Sequence, residues 1–536
     1  MRMESILVSR ELLWLVVLLG VVVRLRDYAV NRSLWLDEAF LALNIIDRSM
    51  HSLLTGSLDY NSTAPAGFLF VEKAAVEAFD MGEYTLRALP LVSGIVGLLL
   101  YPLLSRRVLG PAGAIIAVAL FAFAGPLVYY SSELKPYAGD IAATIATALM
   151  ALAALDDRLG IRRALALGLL GVVLIQLTYA GILAAAGTGV ALVAIFVMDR
   201  RLARPGPVIA LVGTWAVGAV VFLFSRPGLE SAQFTGGKGS IGRFAPLPAS
   251  RADVAWYFDR AKSVFGDANF ALTRWPLFLV TFFAVVGAVN LLARNWRVFA
   301  VLVAPVIATI AASVAHKYPL LDRTMLFFVP FLFLLVTSGI VVLARRLPRA
   351  VGATAAAFVV AALLAQVSSG GVYQIGQPFR RSEIKSYLTY VAQRWRAGDV
   401  LYVHYSSQYA FGYYSECACL RLPGNRTPRS MWPIRRIVVS DPSAQFPRAF
   451  GPTSSSVIVG TRRPVSARGR LPFYPRDASS IERHRRAWIL LTFAIGREPD
   501  LIRNELLGPL DRRGRRVTTL SHGGAEHLYL YEFPMR

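Results

Sequence analysis

Long apolar stretches separated by short polar ones dominate the first two thirds of the chain. A helix needs about 20 mainly apolar residues to cross the hydrocarbon of a bilayer, and the clearest such run is "TMLFFVPFLFLLVTSGIVVLA", Thr324 to Ala344. Ten further segments follow the same pattern, approximately 12–30, 88–104, 112–130, 138–155, 164–179, 180–198, 207–225, 276–293, 298–315 and 350–367. Together they predict a polytopic α-helical membrane protein with about eleven transmembrane helices. A shorter stretch, "APAGFLFVEKAAVEAFD" from Ala64 to Asp80, puts Glu72, Lys73 and Glu77 on one side and Phe68, Val71, Ala75, Val76 and Phe79 on the other. It predicts an interfacial helix over about 64–80 rather than another span.

Beyond about residue 368 the spans stop. "DVLYVHYSS", "AWILLTFAI" and "HLYLYEF" read as strands, and "RRSEIKSYLTYVAQRWRAG" reads as a helix ended by Gly398. The expected organisation is a membrane domain over 1–369, including an external loop at 31–87, followed by a soluble α/β domain over 370–536.

Composition agrees with this division. The 536 residues are 55% hydrophobic and 17% charged, with a mean hydropathy of +0.51. A net charge of +24 suggests nucleic acid until the positions of the basic residues are considered. With a cytoplasmic N-terminus, the short loops on the inner side hold Arg106 and Arg107, then Arg158, Arg162 and Arg163, then Arg200, Arg201 and Arg204. The last two hold Arg294 and Arg297, then Arg345, Arg346 and Arg349. This is the positive-inside pattern of a multi-pass plasma-membrane protein, with anionic lipid rather than nucleic acid as the partner of its arginines. The segments 31–87, 131–137, 226–275 and 316–323, and the C-terminal domain, then fall outside the cytoplasm. Cys417 and Cys419, one residue apart, are poorly spaced for a mutual disulfide and too few for a metal site, so they read as structural.

The same sidedness gathers charged residues from four parts of the chain: Asp37 and Glu38 in "SLWLDEAF", Arg87, the string "YYSSELKPYAGD" from Tyr129 to Asp140, and "HKYPLLDR" from His316 to Arg323. Ionisable residues beside apolar spans are costly and mark sites. Arg87, Arg323, Lys135 and Lys317 supply the cations that a lipid-phosphate leaving group requires. Asp37 or Glu38 supplies a carboxylate to take a proton from an acceptor hydroxyl, with Arg24 or Arg26 as nearby balancing charges.

These motifs resemble the GT-C superfamily of membrane glycosyltransferases, which includes protein O-mannosyltransferases, aminoarabinose transferases and arabinofuranosyltransferases. The resemblance covers roughly residues 10–370. "LWLDEAF" is similar to the acidic pair in the first external loop, "YNSTAPAGFLF" to the proline segment that opens an interfacial helix, and "GEYTLRALP" to the entry of the second span. "YYSSELKPYAGD" and "DRTMLFFVP" are similar to later family strings. The resemblance implies Asp37 as general base with Glu38 positioning it, and Arg87, Lys135 and Arg323, with Lys317 beside them, holding a donor phosphate. Glu133, Tyr137, Tyr60 and His316 would line the pocket. It further implies a polyprenyl-phosphate-linked sugar donor, a hydroxyl acceptor on a glycan, lipid or protein, inversion at the anomeric carbon and no obligatory cofactor. The adjacent carboxylates also suit a divalent cation, but no metal is assigned. Many relatives carry His-Pro-Pro where this chain has Ser62-Thr63-Ala64-Pro65, so no histidine role transfers. The rival readings are a lipid-linked-sugar transporter or flippase, and a non-catalytic binding protein on the same scaffold.

Overall fold

The computed structural model describes residues 2–156, 159–199, 205–225, 243–266, 277–321, 323–376, 380–439, 446–461, 474–492, 498–522 and 526–534. Arg158, Arg200, Arg201, Arg204 and much of the 226–275 segment lie outside the described residues. The chain divides into two compact units. The first comprises Met1–Val30, Ala64–Glu72 and Arg87–Phe379; the second comprises Asn31–Thr63, Lys73–Leu86 and Arg380–Arg536.

The first unit is helical. Its helices are α1 (Arg2–Ala29), the start of α4 (Ala66–Ala78), most of α5 (Glu83–Phe123), α6 (Gly125–Tyr129), α7 (Tyr137–Ala154), α8 (Ile161–Leu177), α9 (Tyr179–Met198) and α10 (Pro205–Phe224). They continue with α11 (Arg251–Gly266), α12 (Leu277–Arg294), α13 (Trp296–Val314), α14 (Val329–Arg346) and α15 (Arg349–Gly376). Helix occupies every one of the eleven apolar segments. Among the described residues, six helices are long and apolar enough to cross a membrane, and two shorter apolar ones, Phe278–Arg294 and Arg349–Ala365, accompany them. The long α5 covers two of the predicted segments, because Gly110 adopts φ +75° and breaks it; a residue with a Cβ is strained there.

Small residues let these helices approach closely. A Cβ added to Gly287 of α12 would lie 1.9 Å from the Leu335 carbonyl oxygen of α14, and one on Gly339 would lie 2.0 Å from the Phe283 carbonyl oxygen. On α1, Leu12, Leu15, Leu18, Leu19, Val22 and Leu25 are exposed, an apolar outer face that suits lipid rather than water. This is a membrane protein.

The second unit contains α2 (Leu36–Asp47), α3 (Met50–Thr55), α16 (Ile384–Arg394), β1 (Val400–Val403), α17 (Gln408–Glu416), α18 (Pro428–Met431), β2 (Ile434–Arg436), β3 (Phe450–Pro452), β4 (Val457–Val459), α19 (Tyr474–Ile481), β5 (Arg486–Leu491), β6 (Arg515–His522) and β7 (Glu526–Glu532). Five strands form a mixed sheet in the order β4-β1-β5-β7-β6. β1 runs parallel to β4 and β5, and β7 is antiparallel to β5 and β6. The three predicted strands are β1, β5 and β7. Helix α16 stops at Arg394, and Gly398 serves the following turn at φ +86°.

One local expectation is corrected. Cys417 and Cys419 form a disulfide with Cα atoms 5.1 Å apart. The chain closes so short a loop because Ala418 between them takes φ +51°, a turn that residue spacing does not reveal. In α4 neither side is uniform: Glu72 and Lys73 are buried and Glu77 is exposed, while Phe68 and Val76 are buried and Phe70 and Phe79 are exposed.

Candidate active site

The acidic pair sits in the first turn of α2, where exposed backbone N–H groups favour negative charge. Its two members have different environments. Glu38 is completely buried, and its carboxylate accepts the Trp35 N–H at 3.3 Å, the reach-back that an acidic residue in the third helical position makes to the capping residue. Asp37, its neighbour in the turn, is half-buried. The rest of α2 is apolar and buried from Ala39 to Leu43, so packing fixes the helix and the first turn presents Asp37.

What α2 packs on is the C-terminal chain. Phe40 meets Tyr60 and Tyr409 with ring centroids at 5.4 and 4.6 Å. Leu34 N–H donates to the Tyr414 hydroxyl at 2.9 Å, and that hydroxyl donates to Glu83 at 2.9 Å. Lys385 of α16 forms an ion pair with Glu83 at 2.8 Å and donates to the Asn31 carbonyl. The Arg381 guanidinium lies 4.2 Å from the Trp35 ring centroid. Tyr60, expected to line a pocket, is a core residue of this unit at 2% exposure, and burial pushes its phenol pKa above the usual value. Lys385, Glu83 and Tyr414 were not singled out from the sequence, because their partners lie up to 380 positions away.

The candidate phosphate-binding residues belong to the first unit. Arg87 in α5 is 2% exposed, and Lys135, just after the 3-10 turn Tyr130–Ser132, is 9% exposed. Charges so buried require partners or a ligand. Arg87 shares its helix face with Gly94, two turns on, where a Cβ would meet the Ser131 hydroxyl at 2.3 Å. The face carrying Arg87 therefore packs toward the turn that precedes Lys135. Glu133 is fully buried, and its carbonyl accepts the Lys135 N–H at 2.6 Å.

Tyr137 opens α7 and stacks edge-on with Tyr130 at 5.2 Å. Arg323, at the head of the 3-10 segment Arg323–Phe328, lies 5.9 Å from the Tyr137 ring centroid. The structure thus joins the "YYSSELKPY" string to the arginine that leads the later span. Lys317 and His316 are exposed. His316 takes φ +55° and its ring meets Phe244 at 5.1 Å, so it packs on a neighbouring loop. Arg24 is committed elsewhere, donating to the Gly20 carbonyl of its own helix at 3.0 Å and to the Ala122 and Phe121 carbonyls at 2.9 and 3.4 Å, the latter two in the last turn of α5, where carbonyls lack intrahelical partners. Sequence reading passed over Asp27, which accepts the Ser132 hydroxyl, and Asp140 as a cap, which accepts the Ala180 N–H at 2.9 Å. Among the described residues there is no group of three or more His, Cys, Asp or Glu side chains able to hold a metal ion.

The fold combines a bundle of apolar helices with an α/β sheet unit. The solved structures it resembles include ArnT from Cupriavidus metallidurans bound to undecaprenyl phosphate, with TM-score 0.50 and 13% identity over 96% of this chain and 97% of that one. AglB from Archaeoglobus fulgidus, an archaeal oligosaccharyltransferase in complex with an inhibitory peptide and a dolichol-phosphate, aligns with TM-score 0.44 and 12% identity over 96% and 74%. An Archaeoglobus fulgidus oligosaccharyltransferase complex with Zn and sulfate aligns with TM-score 0.44 and 13% identity over 76% of this chain, which spans only 62% of that protein's length. No protein-family model and no curated protein matches the chain.

Proposed function

We propose that the chain is an inverting glycosyltransferase that moves a sugar from a polyprenyl-phosphate donor to a hydroxyl acceptor on the external face of the membrane. The observation that carries this reading is the division of labour in the acidic pair. Glu38 is buried with its carboxylate on the Trp35 N–H, and Asp37 is half-buried in the first turn of α2. A general base has to be held rigidly while keeping its own oxygens within hydrogen-bond reach of the acceptor.

In the proposed reaction the acceptor oxygen attacks the anomeric carbon from the side opposite the lipid phosphate. The sugar–phosphate C–O bond breaks with its electron pair going to the phosphate, and the acceptor proton passes to Asp37. Arg87, Lys135 and Arg323, with Lys317 beside them, stabilise the phosphate as its charge grows, the type of interaction that lowers a barrier when it is stronger in the transition state. Glu133 and Tyr137 position the donor-side groups, and Glu38 positions Asp37. The membrane position of the bundle supports a lipid-linked donor. The Cys417–Cys419 disulfide supports an extracytoplasmic second unit, because such bonds persist in oxidising compartments.

The test is donor turnover by the purified protein with a panel of polyprenyl-phosphate sugars, repeated with Asp37→Asn. Release of the lipid phosphate by the wild type, lost in the variant while donor binding persists, is the expected result. Equal turnover by the variant removes Asp37 from the mechanism. Donor movement across vesicles without sugar transfer would make the protein a transporter.

A further inference from the structure

A cavity of about 630 Å³ lies wholly within the second unit, at the far end of α2 from Asp37. Asp37 and Asp47 are ten residues apart on one helix, about 15 Å along its axis. The volume falls in the range of about 300–1,000 Å³ that small-molecule sites occupy. Asp47 lines one wall from the end of α2, and Glu416 lines another from the end of α17. Arg429, Arg435 and Arg436 complete the charged lining from α18 and β2.

These charges are arranged in two layers. Arg436 is the inner one: it pairs with Asp47, lies 3.7 Å from Glu416 and donates to the Tyr60 hydroxyl at 3.4 Å. Phe450 lies 5.7 Å from its guanidinium carbon. Arg436 is thereby held between Asp47, Glu416 and Tyr60. Arg429 and Arg435 are exposed at the rim. Three of the five charged lining residues are arginines and two are carboxylates. Arginine forks hold carboxylates through paired N–H bonds. The acidic walls in turn suit a ligand rich in hydroxyl donors. Burial raises the Glu416 carboxyl to about 7, so near neutrality it both donates and accepts. Arg436, lowered to about 10 by burial, keeps its charge. The Cys417–Cys419 disulfide follows Glu416 directly and holds the end of α17.

We infer that this cavity binds a carboxylate-bearing saccharide, its carboxylate on Arg429 and Arg435 and its hydroxyls on Asp47 and Glu416. Its role as a docking site for an acidic glycan acceptor rests on the transferase reading; binding itself does not.

Calorimetric titration of the full-length protein in lipid nanodiscs, without donor, tests the inference. The probes are trigalacturonate, the neutral trisaccharide maltotriose, and inorganic phosphate. Trigalacturonate is expected to bind at least tenfold more tightly than either control, and the double variant Arg429→Gln/Arg435→Gln to lose at least tenfold of that affinity. Because both arginines are exposed, their replacement leaves the fold intact, which unchanged thermal unfolding verifies. Absence of trigalacturonate binding, equal binding by the double variant, or phosphate binding as tight as that of the saccharide would each overturn the site. Asp37→Asn should leave this binding unchanged, so failure of the transferase reading and failure of the cavity register in different measurements.

Discussion

In the membrane unit Arg24 gives its guanidinium to three backbone carbonyls, Arg323 lies against an aromatic ring and Arg297 pairs with Asp199. In the second unit Lys385, Arg436 and Arg486 each meet a carboxylate, from Glu83, Asp47 and Asp399. The packing differs in the same sense. Helices of the first unit approach through glycines such as Gly287 and Gly339, while the second unit joins chain segments hundreds of positions apart through hydrogen-bonded side chains. Where water is absent, close backbone contact replaces the hydrophobic drive between helices. Where water is present, buried apolar sheet faces and partnered charges define the unit.

The largest expected effect is on chemistry alone. Asp37→Asn should lower turnover by roughly 10²–10⁴-fold, the usual contribution of a general base, with thermal unfolding unchanged. Glu38→Gln should instead cost mainly stability in the second unit, because it alters the bond to Trp35. If the two variants behave alike, the division of labour within the pair is wrong.

Next in size, Gly287→Val forces atoms into the Leu335 carbonyl. It should destabilise the helical unit by about 1–3 kcal/mol or more while hydrogen exchange in the strands of the second unit stays as it was.

Glu83→Gln removes the charge that faces Lys385 and the Tyr414 hydroxyl. A loss of about 1–3 kcal/mol is expected, seen as faster exchange over residues 31–47 and 384–394 together. Faster exchange in only one of those stretches would mean that this contact does not join them.

The smallest effect is a pH dependence. Glu526 is buried, accepts the Glu383 N–H at 2.7 Å, and is raised by burial to about 8 from the ordinary carboxyl value of 4.5. Its protonated form is the one the fold favours. That contribution is therefore complete below about 4.5 and lost as pH rises through about 8. The unfolding temperature of the second unit should fall over that window, and Glu526→Gln should flatten the fall.

Much of this organisation was legible in order along the chain. The eleven apolar segments are all helical, the three predicted strands are present, and the "YYSSELKPY" string does meet Arg323 through Tyr137. What escaped has a common cause. The face of α4 was read from its charges, yet Glu72 is buried, because helical periodicity tells which residues share a side but not which medium that side meets. The Cys417–Cys419 bond depends on the backbone angle at Ala418, which no spacing rule encodes.

By itself the sequence determined the helices, the strands and the identity of the charged clusters, since these depend on hydrophobic period and local residue chemistry. Only the tertiary structure decided that residues 31–63 and 73–86 cluster with 380–536, and that Glu38 turns inward while Asp37 stays half-exposed. Both outcomes depend on contacts such as Leu34 to Tyr414, whose partners are 380 positions apart. Such contacts follow from how the folded surfaces fit, and neither partner's neighbours in the chain record them.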